Sequence, residues 1–489
     1  MPRSVVLAAA VLAALPVAAA PRIDLHVDLD LRVNAVYHVA CLSGSLACTK
    51  DMFVRYWKDR DWTSDDDTAV DAWRQVMTAV TAGAPPRARA PLLPNTPRFH
   101  PAQAARTAVV VAAIESKTAR DLRINANDLV SDEQAQRLLD AAGHFERRLQ
   151  PWFKTIAGPV LERRVAGVAA FARASRFAET AQLMAAFLEA DLPAPDLYLH
   201  AIAAPVPAST EFSATQLGNH LLVEVVDTTR ADAMVSGAVH ELTHYIYDRA
   251  PVQKQMALIK EFADSGQPSA AGLYTYLNEA VAVAAQSLHA SKTAETRLTT
   301  TPGEKPGSGK DDEYHHPYVA PLGAAASPLV KGAVGAKRTL FQGFAARYIS
   351  AGTAALKEKV REPQFVLAQV GLLVPENGDN LRAAYLKAMF PHASAQMDSE
   401  RDAYGLTSVP LVRLARYGAL GDLERRIPEL ATLLARRGFA YALPRAQGAR
   451  VYVLAGRDDQ AIIDVISKLA GMKELASAGL LFALNSGAR

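Results

Sequence analysis

Between residues 22 and 34 apolar and polar side chains alternate without interruption. The polar positions are Asp24, His26, Asp28, Asp30 and Arg32, and each is followed by an apolar residue. Successive side chains of a β-strand point to opposite faces, so this period of two predicts a half-buried strand. We expect its acidic face to be solvated, which is a commoner arrangement than a cation site.

Beyond this stretch the apolar spacing changes to three and four, which predicts helices from Phe53 to about Ala190. Ser131 followed by Gln134 predicts one helix start of the capping-box kind. The acidic triplet at 65–67 predicts another helix start or a solvated loop. The Pro-rich segment 83–101 predicts a loop or an extended crossover.

The second half of the chain mixes strand and helix patterns. Runs rich in Leu and Val at 196–205 and 219–227 predict strands. A helical pattern at 270–290 is followed by a Gly/Pro/Thr/Lys-rich segment, 293–312, which predicts a surface loop. The next segment, 318–349, predicts helix broken near its two prolines, Pro321 and Pro328.

After about residue 362 strand patterns precede helix patterns, which predicts a small α/β domain. A chain of 489 residues is too long for one compact core. We therefore predict a predominantly helical α+β protein. We predict four segments along the chain: a signal peptide (1–19), a strand and helical region (20–195), a central lobe (196–360) and the C-terminal α/β domain (361–489).

Composition narrows the class of partner and the compartment. Half of the residues are hydrophobic and the net charge is only +3, without a Lys/Arg block, so we expect no nucleic-acid partner. Residues 1–19 combine one positive charge, an apolar run too short to span a bilayer and small residues around Ala19. This pattern predicts a cleaved secretory signal and a periplasmic or secreted protein with no transmembrane helix in the mature chain. A retained N-terminal anchor is the alternative interpretation.

The chain has two cysteines, Cys41 and Cys48, which enclose a Gly/Ser turn. A local pair of this kind in an oxidising compartment predicts one disulfide bond.

The segment 236–251 contains two histidines and a glutamate within five positions, His240, Glu241 and His244. Positions four apart lie one turn above each other on a helix, so both imidazoles face one metal ion. Glu241 is rotated by about 100° from His240, a direction suited to a general base acting on a metal-activated water. Thr229 predicts the N-cap of this helix, and Pro251 ends it.

A candidate third ligand lies downstream of this motif. An extended three-histidine motif is excluded, because Tyr247 and Ala250 occupy its remaining positions. Glu279 instead stands alone among Val and Ala residues, 35 positions after His244. A carboxylate in such surroundings needs a partner, and a zinc ion held with the two histidines would be one.

The His-Glu-Leu-Thr-His sequence at 240–244, followed by Asn-Glu-Ala at 278–280, resembles the gluzincin class of zinc metallopeptidases. The resemblance covers about residues 196–290. It implies that the central lobe has a zincin-like fold.

The resemblance also implies residue roles. His240, His244 and Glu279 would hold Zn²⁺, and Glu241 would be the general base. Residues 219–227 would form the edge strand that aligns a peptide substrate by backbone pairing.

The chain departs from the gluzincin pattern in two respects. Many members carry an acidic residue four positions after the third ligand, which orients a zinc-bound histidine, and this chain has Val283 there. Asp248 is a candidate substitute, although a solvated residue at the helix end is an equal interpretation. Members also use a later Tyr or His to stabilise the oxyanion. Tyr318 and His315 are the candidates here, although an exposed polar loop is an equal interpretation of their segment.

These features predict a zinc-dependent peptidase acting on a peptide or protein substrate. The alternative is a catalytically weak or inactive binding or assembly module of the cell envelope, in which zinc has a structural role. No pattern in the sequence defines an oligomeric state.

Overall fold

The computed structural model describes residues 24–485. It leaves gaps at 47, 50–52, 55, 58–61, 86–100, 191–195, 204–213, 226–229, 268, 301–316, 368–369, 376, 390–409, 444–449 and 476–477. The predicted signal peptide, most of the Pro-rich segment, Thr229 and His315 lie outside the described residues.

The N-terminal part is a strand followed by helices. Its elements are β1 (Asp24–Asp28), α1 (Leu31–Ser43), α2 (Ser64–Gly83), α3 (Pro101–Glu115), α4 (Ala119–Asn125), α5 (Asp132–Trp152), a π-helical turn (Phe153–Ala157), α6 (Gly158–Ala174) and α7 (Phe177–Leu188). The predicted helical region and the capping box of Ser131 with Gln134 are confirmed. The acidic triplet lies in the first turn of α2, as one of its two interpretations predicted.

The predicted strand 22–34 is too long, because the chain turns into α1 after Asp28. The Asp30 side chain accepts a hydrogen bond from the Val33 backbone N–H at 2.9 Å and caps the helix. Residues 33–43 are all buried, so α1 lacks the polar face that would reveal a helical period. Cys41, near the end of α1, forms the predicted disulfide bond with Cys48, just beyond the helix.

The central part contains a mixed sheet and the helices that pack on it. The strands are β2 (Asp196–Ala203), β3 (Ala214–Leu217) and β4 (His220–Val225), and the helices are α8 (Ala231–Asp248), α9 (Val252–Asp264), α10 (Ala270–Thr275), α11 (Leu277–Thr300), α12 (Val319–Gly335), α13 (Phe344–Leu356) and α14 (Pro363–Val366).

The strand order of this sheet is β1-β2-β4-β3, with β3 antiparallel and the other pairs parallel. One face, which includes Leu199 and Val223, packs in a core with α8 and α11. The opposite face, which includes Ile202 and Leu222, packs on the N-terminal helices. The sheet therefore joins residues from both sides of the predicted division at 195/196.

The implied edge strand at 219–227 is wrong. β4 pairs with β2 on one side and with β3 on the other, so it lies inside the sheet. Among the described strands, β1 and β3 lie at the two edges of the sheet. β3 is joined to β4 by a two-residue turn in which Gly218 has φ +59°. That Gly-Asn turn is a hairpin signal that the sequence analysis missed.

Two helix predictions also need correction. α11 continues through residues 293–300, where a loop was expected. α12 is not broken at its prolines: Pro321 lies in the first turn, where its missing N–H costs no intrahelical bond, and Pro328 lies inside the helix.

The C-terminal part forms a second mixed sheet in the order β5-β6-β8-β7-β9. Its elements are β5 (Gly371–Leu373), α15 (Asp379–Met389), β6 (Leu411–Arg416), α16 (Leu430–Leu434), β7 (Gly438–Leu443), β8 (Val451–Gly456), α17 (Asp459–Ala470) and β9 (Gly479–Leu484). Strands and helices both contribute to its core. The whole chain is thus a mainly helical α+β protein, as predicted.

In the described part of the chain, no helix combines the length and the apolarity that a membrane crossing requires.

Candidate metal centre

Helix α8 presents two histidines to one side, as the sequence predicts. It runs from Ala231 to Asp248 with Arg230 at the N-cap, and Pro251 separates it from α9. The predicted cap at Thr229 is therefore displaced by one residue, and the Arg230 side chain makes no capping bond. The imidazole rings of His240 and His244 are 4.7 Å apart between centroids.

Glu279, in the first turn of α11, faces both imidazoles. Its carboxylate oxygens lie 3.2 Å from Nε2 of His240 and 3.6 Å from Nε2 of His244. The Glu279 side chain is 37% exposed, whereas those of the two histidines are 13% and 17% exposed. The group therefore lies at the edge of the core with one side open, and it contains all three residues expected as ligands.

The spacing of these atoms suits a small cation. One ligand atom from each of the three residues lies within 4.8 Å of the other two. In a tetrahedral zinc site with ligands at about 2.0–2.1 Å, neighbouring ligand atoms are about 3.3 Å apart. The two measured histidine–carboxylate distances, 3.2 and 3.6 Å, bracket that value. Two imidazoles and one carboxylate are also a donor set that zinc prefers, so the residues fit this ion.

The electrostatics of the group also favour a positive charge. Burial lowers the pKa of His240, but the hydrogen bond and the charge of Glu279, assisted by the charge of Glu241, outweigh it and raise that pKa to about 9. Glu241 itself is 9% exposed and lies on the same helix. A cation replacing the proton would meet the same negative surroundings.

The two imidazoles differ in what faces their other ring nitrogen, Nδ1. Nδ1 of His240 lies 3.3 Å from Oε1 of Gln286, whereas Nδ1 of His244 is buried and has no hydrogen-bond partner among the described residues. The expected role of Asp248 as the acceptor for His244 is thus wrong. Gln286 was missed, because an amide on a long helix gives no signal by itself. Its position seven residues after Glu279 does place it on the same helix face.

Of the two candidates for oxyanion stabilisation, one is described. Tyr318 is 3% exposed, and its hydroxyl donates to Oε2 of Glu362 at 2.8 Å. Burial and the neighbouring Glu362 raise the pKa of the phenol. Its ring packs on Tyr276, three residues before Glu279, so Tyr318 lies near the start of α11. Its hydroxyl hydrogen is already engaged in the hydrogen bond to Glu362.

Comparison of the chain with known protein families, with characterised proteins and with solved structures gives no match. The resemblance to gluzincins therefore depends on the residues described above.

Proposed function

We propose that this protein is a zinc-dependent peptidase. The observation that carries the proposal is the convergence of His240, His244 and Glu279, from two helices, on one point suited to zinc. Glu241 next to the first histidine adds a buried carboxylate to the same helix. The proposal includes a zincin-like lobe, in which α8 and the next long helix, α11, would supply the three ligands.

In this proposal each residue has one task. Zinc, when bound, would polarise a carbonyl group and lower the pKa of a water molecule. Glu241 would accept the proton of that water and pass it to the leaving amine. The outer edge of β3, rather than β4, would align an extended peptide by backbone hydrogen bonds.

The alternative function, a binding or assembly module with a structural zinc, is favoured by one observation. The hydroxyl of Tyr318 donates to Glu362, so the tyrosine expected to stabilise an oxyanion is engaged elsewhere. A module of this kind would bind zinc through the same three ligands and would cleave no peptide.

Metal analysis of the purified protein tests the proposal first. We expect about one zinc per chain in the wild type and much less in Glu279→Ala. Glu261→Ala, which removes an exposed glutamate from α9, should keep its zinc. A folded wild type without zinc would contradict both functions. Zinc binding without cleavage of any member of a peptide library would contradict the peptidase and support the module.

A further inference from the structure

The side-chain amide of Gln286 links the two helices of the metal centre. Its nitrogen, Nε2, donates to the backbone oxygen of Ser236 at 3.1 Å and lies 3.1 Å from the Ser236 hydroxyl. Its oxygen, Oε1, lies 3.3 Å from Nδ1 of His240. Ser236 and His240 are four residues apart on α8, so one amide spans one helical turn.

These contacts determine which way the amide points. A backbone carbonyl oxygen only accepts hydrogen bonds, so the atom of Gln286 that faces Ser236 must be the amide nitrogen. The amide oxygen then has to face His240. Because that oxygen only accepts, Nδ1 of His240 must carry the hydrogen. The other ring nitrogen, Nε2, is the one directed at Glu279.

The packing of α11 explains why position 286 has this role and position 283 does not. A Cβ atom built on Gly323 of α12 would lie 2.3 Å from Cγ1 of Val283. Val283 is thus committed to a close contact between α11 and α12. Gln286, nearly one turn further along α11, is the next residue on the face that looks toward α8.

We propose that Gln286, held by Ser236, is a positioning residue that fixes the tautomer and the ring orientation of His240 for metal binding. The inference rests on the proposed function, since it assigns a role toward the zinc of that site. In the part of the chain that the structure describes, Nδ1 of His244 has no corresponding acceptor, so the restraint acts on one of the two imidazoles. Hydrogen-bond partners of zinc-bound histidines typically change metal affinity by about 10–100-fold when they are removed.

Two substitutions of Gln286 separate its contact with His240 from its contact with Ser236. Gln286→Leu and Gln286→Glu both lose the donation to the Ser236 carbonyl, but only Gln286→Leu loses the acceptor for His240. We expect the zinc dissociation constant, measured by chelator competition, to rise about 10–100-fold in Gln286→Leu and clearly less in Gln286→Glu. Ser287→Ala, at the neighbouring exposed position, should bind like the wild type. Gln286→Met replaces the leucine variant if that protein does not fold.

A second readout follows the hydrogen atom itself. In the zinc-loaded wild type and in Gln286→Glu, the Nδ1 proton of His240 should be observable by nuclear magnetic resonance as a slowly exchanging signal. It should be lost in Gln286→Leu. Equal zinc affinity in the leucine and glutamate variants, whether at the wild-type value or below it, would overturn the inference. A wild type that binds no zinc would instead contradict the proposed function.

Discussion

Glu224 on β4 and Glu279 on α11 are carboxylates in very different surroundings. Glu224 is fully buried, yet it accepts hydrogen bonds from the Tyr37 hydroxyl at 2.8 Å and from the backbone N–H and hydroxyl of Thr49. These donors give both oxygens of the buried carboxylate hydrogen-bond partners. Glu279 faces two imidazoles instead. The partners of each residue thus distinguish a carboxylate that joins elements of the fold from one that suits a cation.

Glu241 is the residue on which the proposed chemistry depends most. Its replacement by Gln keeps the size of the side chain but removes the proton acceptor. Because general bases typically contribute about 10²–10⁴-fold, we expect Glu241→Gln to lower kcat/KM for a cleaved peptide by at least about 100-fold. The zinc content and the melting temperature should stay close to those of the wild type.

The control for this prediction is Glu261→Gln, the same substitution at an exposed position of α9. It should leave kcat/KM unchanged. Full peptidase activity in Glu241→Gln would show that another group accepts the proton, and the role given to Glu241 would be wrong.

The contact between α11 and α12 holds the helix that carries Glu279. The close approach of Gly323 to Val283, and of Gly352 on α13 to Leu322, leaves no room for a Cβ atom at either glycine. Glycine inside a helix costs about 0.5–1 kcal/mol relative to alanine. That cost is offset here by the closer packing of the helices.

We expect Gly323→Ala to lower the free energy of unfolding by about 1–3 kcal/mol, because the added methyl group overpacks a filled contact. Denaturant titration measures the change. Gly332→Ala on the same helix has nothing within 4 Å of the added atom, so it should be neutral or stabilising by up to about 1 kcal/mol.

Combining Gly323→Ala with Val283→Ala tests whether contact with Val283 causes the loss of stability in Gly323→Ala. If the methyl group meets Val283, the double variant should be more stable than the sum of the two single changes indicates. Additive effects would mean that the loss in Gly323→Ala has a different origin.

The sequence predicted the elements whose pattern is locally complete. The i, i+4 spacing of His240 and His244 and the isolated charge of Glu279 identified the site, and the capping residues at 131 and 134 identified the start of α5. Prediction failed where the tertiary environment decides. α1 is buried on all sides and shows no amphipathic period, and the role of Gln286 depends on Ser236, fifty positions away.

The N-terminal region and the central part share one folded unit around the first sheet. β1 pairs with β2, and the Asn34 side chain of α1 bonds to the Ala201 carbonyl at 3.0 Å and to the Ala203 N–H at 2.7 Å. β2 pairs in turn with β4, whose strand lies in the core with α8. The N-terminal helices thus support the candidate metal centre through the sheet.

The same interface buries a histidine whose protonation should set part of the acid sensitivity of the protein. His38 on α1 has no exposed surface; its Nδ1 accepts from Trp57 Nε1 at 3.1 Å, and its ring packs against Phe53. Burial lowers its pKa from the ordinary 6.5 to about 3. Between these values the unfolded chain binds a proton that the folded chain does not, so stability rises with pH and is lost on acidification.

The size and the origin of this acid loss can both be measured. His38 should contribute up to about 1.4 kcal/mol for each pH unit between its two pKa values.

His38→Gln keeps an acceptor for Trp57 but cannot be protonated. Because it loses the ring that packs against Phe53, it should be less stable than the wild type at pH 7. Because it cannot be protonated, it should lose less stability on going to pH 4. Equilibrium unfolding at several pH values gives both slopes, with His26→Gln, a half-exposed position, as the control. Parallel pH profiles for the wild type and His38→Gln would show that His38 is not the group that titrates, and the acid loss would then belong to the carboxylates that both proteins share.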